Sequence, residues 1–85
     1  MPTVEIPRAD FVQGISAIDL FVQSGLCASK SDARRLIEQG GAFAAGAAIV
    51  DLKAVITATS LDDTGELILR AGKKRLIRIV TEGEG

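Results

Sequence analysis

The run from Ser29 to Gly41 (Ser-Lys-Ser-Asp-Ala-Arg-Arg-Leu-Ile-Glu-Gln-Gly-Gly) constrains this chain more than any other, because it carries a helix start, a helix stop and two unlike faces. Asp32 stands three residues after Ser29, the spacing of a capping box. In that arrangement the Ser29 hydroxyl accepts the Asp32 amide hydrogen and the carboxylate reaches back to the Ser29 amide. Gly40 and Gly41 offer positive-φ residues to close the helix. Ala33, Leu36, Ile37 and Gly40 recur at i, i+3, i+4 and i+7 and share an apolar face. Ser31, Arg34, Arg35 and Glu38 fall on the opposite side, with Lys30 at its edge. The first face is for packing, and the second is chemically suited to a phosphate backbone.

The rest of the composition sets limits. At 85 residues, with 47% hydrophobic and 25% charged, the chain supports one folded domain and a single modest core, too small for a walled catalytic cleft. No apolar run approaches the roughly 20 residues that cross a bilayer, so no membrane partner is expected. The N-terminus has no signal or transit pattern, and a cytoplasmic location is the expectation. One cysteine, Cys27, and no histidine leave no internal disulfide, no plausible zinc site and no histidine-activated nucleophile. Neither a metal nor a cofactor is expected, and the chain alone is read as not an enzyme. Net charge is -1, so any polyanion site must come from where the cations sit, not from their number.

Residues 1–14 lack helical periodicity and read as an N-terminal connector, with an edge strand at Thr3 to Ile6 bracketed by Pro2 and Pro7. Ser16 opens a helix, Asp19 follows at cap spacing, and Ile15 is placed to staple against Leu20. Gly25 ends that helix. Residues 42–50 suggest two short strands around Ala45-Gly46, and Asp51 to Ser60 is equally readable as a helical turn or as extended chain. Leu61 to Gly65 is a turn. Beyond it, alternating runs flank Ala71-Gly72 as a hairpin, and residues 81–85 form a polar tail. Arg70, Lys73, Lys74, Arg75 and Arg78 lie within nine residues that contain no acid. The fold class is α+β, two short helices packed on a small, mostly antiparallel sheet.

The stretch Gly25-Leu-x-x-Ser-Lys-Ser-Asp-Ala-Arg-Arg-Leu-Ile-x-Gln-Gly-Gly41 resembles the signature of the αL RNA-binding motif. With the Pro-Thr-Val-Glu start and the run Gly65-Glu-Leu-Ile-Leu-Arg-Ala-Gly-Lys-Lys-Arg75, the chain is similar to the C-terminal domain of bacterial-type tyrosyl-tRNA synthetases. The resemblance makes residues 15–80 an αL-type RNA-binding domain. It implies tRNA, specifically tRNA(Tyr) through its variable arm and anticodon stem, and the catalytic domain of a parent synthetase as partners. Where that family has Asn-Gly in the first hairpin, this chain has Ala45-Gly46, which predicts a looser hairpin or another turn type.

On periodicity alone, Lys30, Ser31, Arg34 and Arg35 read as a solvated face with Arg34 paired to Glu38. The resemblance reverses that reading and makes them one phosphate-holding surface. Lys73, Lys74 and Arg75, flanked by Arg70 and Arg78, form a second, against the alternative that they merely guard an exposed strand edge. Three Phe with no Tyr or Trp leave no platform for stacking splayed bases, so backbone and shape recognition of folded RNA is expected. Two other functions remain open from sequence. One is an RNA-binding module of an rRNA-modifying or ribosome-associated protein. The other is a protein-interaction domain with a solvated basic face.

Overall fold

Alternation and helical periodicity assemble into a main sheet with helices on one side of it. The computed structural model describes residues 2–81, so Met1 and residues 82–85 of the expected tail lie outside the described residues. Strands β1 (Thr3–Ile6), β3 (Ala42–Ala44), β4 (Ala47–Ala48), β6 (Glu66–Ala71) and β7 (Arg75–Thr81) form a five-stranded sheet in the order β1-β7-β6-β3-β4. All pairs are antiparallel except β1 with β7. A second, two-stranded sheet joins β2 (Ile15–Ser16) to β5 (Val55–Ile56). Among the described residues no helix is long and apolar enough to cross a membrane.

The inner face of the sheet is set by the period of two. Leu67, Leu69 and Ala71 of β6 and Ile77 and Ile79 of β7 are buried, and they share one core with Phe11, Leu20, Phe21, Ala33 and Ile37 from the helices. Those helices are α1 (Arg8–Gln13), α2 (Ala17–Gln23) and α3 (Lys30–Glu38). The α+β class therefore stands, with one helix more than the sequence suggests. Helix α1 has only six residues, too few for a 3.6 period to show, and it starts directly after Pro7, whose fixed φ suits a helix entry.

Local chemistry explains the element ends. Half of the expected capping box forms: the Ser29 hydroxyl accepts the Asp32 amide at 3.3 Å, while among the described residues no bond runs from the Ser29 amide to the Asp32 carboxylate. Ser16 sits at the start of α2 without a side-chain cap, and the Ala17 amide donates to the Ala54 carbonyl at 3.0 Å. The β2–β5 pairing holds the Ser16 backbone at φ -58° and ψ 137°, and its hydroxyl caps no amide of α2. Of the two glycines closing α3, only Gly40 has a positive φ, 77°. Gly41 is required for proximity: a Cβ there would stand 2.9 Å from Leu36 Cδ1. Segment 51–60 resolves into both readings, strand β5 followed by a 3-10 turn at Ala58–Ser60. In the 61–65 turn a single carboxylate does the capping. Asp62 Oδ1 accepts from the Glu66 amide, the Thr64 hydroxyl and the Thr64 amide, and these bonds hold its acid below the usual carboxylate range.

The β3–β4 hairpin keeps a tight turn, not a looser one. Ala45 has φ 53° and Gly46 φ 82°, the pair of positive values that a two-residue type I′ loop demands. Placing an alanine there costs about 1–2 kcal/mol, which asparagine largely avoids. Ala45→Asn should therefore raise the unfolding free energy by about 0.5–1 kcal/mol in a urea titration with an unchanged slope. Phe11 is fully buried, so the first fourteen residues hold part of the core. Phe11→Ala should cost about 3–5 kcal/mol in the same titration. That is a large share of the roughly 4–13 kcal/mol expected for a domain of this size.

Candidate nucleic-acid interface

Helix α3 presents its polar face because Ala33 and Ile37 are buried against the core. Lys30, Ser31, Arg34 and Arg35 are all exposed. Lys30 leans back to Asp19 of α2, with Nζ 3.6 Å from Oδ1. That pair is largely solvated and contributes little to stability, but it draws Lys30 towards α2. Arg34 forms no ion pair with Glu38 among the described residues. The first turn of α3 also carries backbone amides that no helical carbonyl can satisfy, next to the positive end of the helix dipole.

The β6–β7 hairpin brings its tip to this helix through one backbone bond. The Gly72 amide donates to the Gly41 carbonyl at 2.7 Å, directly beyond the Ala42–Ala71 register pair. Arg75 lies opposite Ala71 and has the same parity as buried Ile77 and Ile79, so it projects to the helix side of the sheet. The outcome is an open cleft of about 450 Å³, walled by Asp32, Arg35, Leu36 and Gln39 of α3 and by Arg75 and Gly72 of the hairpin. Arg35 and Arg75, forty residues apart, thus line the same cleft. Lys74 and Arg75 share a neighbouring hollow with Pro2 and Leu26. Lys73 is exposed at the same tip.

Arg70 and Arg78 are not part of this cluster. Their parity places them on the outer face of the sheet with Ile68 and Leu76. Arg70 Nε donates to the Gly72 carbonyl at 2.9 Å, and its guanidinium lies 4.9 Å from the centre of the Phe43 ring. Arg78 stands 3.8 Å from Glu66. The uninterrupted basic run in the sequence is therefore divided by the strand period between two sides of the sheet. Gln39 is a cleft residue that a search for cations passes over. Its signal is position: Asp32, Arg35, Leu36 and Gln39 follow i, i+3, i+4 and i+7, a stripe of its own.

Comparison with known proteins bears on what such a cleft is for. The family model for the tyrosine--tRNA ligase SYY-like C-terminal domain matches residues 1–79. A tyrosine--tRNA ligase of Treponema pallidum (strain Nichols) is 54% identical over 82 residues, which cover 96% of this chain and 20% of that protein. One from Treponema denticola is 52% identical over 80 residues, 94% of this chain and 20% of the relative. One from Nitrobacter winogradskyi is 41% identical over 75 residues, 88% and 18% respectively. The chain spans about one fifth of the length of these relatives.

Cys27 lines the same cleft. Burial pushes its thiol above the ordinary cysteine range; the Arg75 charge opposes that, and Asp32 adds to it. A thiol held in this way is a packing group, not a nucleophile. Alkylation of Cys27 by iodoacetamide at pH 8 should run at least about fivefold slower than that of a cysteine in a short unstructured peptide.

Proposed function

Since the chain belongs to the family of tyrosine--tRNA ligase SYY-like C-terminal domains, we propose that it serves as the appended tRNA-binding module of such a ligase. Its work is positioning. The catalytic domain of the parent synthetase does the chemistry, in the cytoplasm, while this domain raises the local concentration of tRNA and fixes its orientation. The ligand is tRNA(Tyr), gripped at its variable arm and anticodon stem.

The observation that carries this reading is the meeting of Arg35 and Arg75 in one cleft. Two guanidinium forks at one opening suit phosphate oxygens of a folded backbone, where bidentate geometry adds orientation to charge. Lys30, Ser31 and Arg34 extend the contact along α3, and Lys73 and Lys74 extend it along the hairpin tip. Arg70 and Arg78 face away from that surface and contribute only to the long-range field.

Filter binding of a tRNA(Tyr) transcript tests the assignment. If about four phosphates are neutralised, affinity should fall on the order of a hundredfold between 50 and 200 mM salt. Arg35→Ala and Arg75→Ala should each weaken binding about tenfold and flatten the salt slope by about one. Arg70→Ala and Arg78→Ala should change it less than about threefold. Shortening the variable arm should cost more than about tenfold in affinity. Equal effects from both pairs of arginines, or binding indifferent to salt, would defeat the proposal.

A further inference from the structure

We propose that the outer face of the five-stranded sheet, centred on Phe43, Ile68 and Leu76, is a protein-docking surface, and that its occupant is the catalytic body of the same synthetase. This rests on membership of the family and on a side of the sheet that the RNA contact does not use.

The first observation is composition. Ile68 and Leu76 are 37% and 38% exposed on the face turned away from α1, α2 and α3, and with Phe43 and Ser60 they border an open depression of about 560 Å³. An apolar centre flanked by arginine and an aromatic ring is the usual make-up of a protein contact. The second is charge. Arg70 lines the depression together with Asp62 and Glu66, and Arg78 lies within 3.8 Å of Glu66. A polyanion gains little from so balanced a rim. A protein surface offering an aliphatic knob and one carboxylate for Arg70 fits it better. Arg70 is held ready for that role, with Nε donating to the Gly72 carbonyl and its guanidinium over the Phe43 ring.

The third observation is the route of the chain. Strand β1 lies at the sheet edge, where the Pro2 carbonyl accepts the Arg78 amide at 2.8 Å, and the hollow beside Pro2 is lined by Leu76 as well as by Lys74 and Arg75. Polypeptide entering β1 therefore arrives at the rim between the two faces, next to Leu76 of the outer one. About four fifths of each relative lies outside the matched part, and the family model describes a C-terminal domain. A body tethered ahead of Thr3 meets this face at an effective concentration of about a millimolar. At that concentration a modest contact of roughly 600–1,500 Å² is enough to hold two domains together.

Hydroxyl-radical footprinting of the full-length synthetase carrying this domain tests the proposal, read at Phe43, Ile68 and Leu76 without tRNA. Labelling of these three side chains should be about tenfold slower than in the 85-residue chain, while exposed Val12 and Val50 report the unprotected rate in both. Leu76→Arg, whose circular dichroism checks that the domain stays folded, should return Phe43 and Ile68 to the rate of the short chain. Equal labelling in the two proteins would overturn the idea. Protection that appears only on adding tRNA would assign the face to RNA. Protection in the short chain that disappears on dilution would assign it to a second copy. Loss of tRNA binding through the opposite side leaves this readout unmoved, so the two readings fail separately.

Discussion

The bond from the Gly72 amide to the Gly41 carbonyl, 2.7 Å long, joins the end of helix α3 to the tip of the β6–β7 hairpin. Each half is specified locally, the helix by its cap and apolar stripe, the hairpin by its alternation. Neither specifies where the other goes. On the helix side the junction requires a residue without a side chain, because a Cβ on Gly41 would stand 2.9 Å from Leu36 Cδ1. Gly72 supplies the φ of 70° that turns the tip. Once these two backbones touch, Arg35 and Arg75 have little freedom but to share an opening.

Much of this was legible in the sequence for reasons of period. The α3 cap, the position of Gly40, the alternation in β6 and β7 and the edge strand at Thr3–Ile6 each follow from a pattern contained within a few residues. What stayed hidden needed contacts between distant segments. Helix α1 is stabilised by Phe11 entering the core, and six residues give periodicity nothing to repeat. The parallel pairing of β1 with β7 joins the two ends of the described chain. Segment 51–60 is decided by β2, whose two residues capture Val55 and Ile56.

The candidate site shows the same division. Reading Arg70 to Arg78 as one cluster treats a strand as a string of charges, whereas a strand deals its side chains alternately to two faces. Arg75 goes to the helix side while Arg70 and Arg78 go to the other. The alternation was visible in the sequence, so the separation was available there; the side each arginine faced relative to α3 was not. A net charge of -1 is compatible with a cationic cleft for the same reason. Fold geometry, and not the sum of charges, decides what a ligand meets at Debye range.

Aromatic accounting limits how this surface can recognise anything. Of the three phenylalanines, Phe11 and Phe21 are fully buried, and Phe43 lies on the outer face beneath Arg70. None borders the cleft shared by Arg35 and Arg75. A base flipped towards that cleft would find guanidinium planes and the Gln39 amide, not a ring to stack on. Guanidinium forks reward a fixed spacing of phosphate oxygens, and that spacing exists where a backbone is held in a defined shape. The cleft is accordingly matched to a rigid, folded polyanion, and single strands able to place one phosphate at a time would gain less from it.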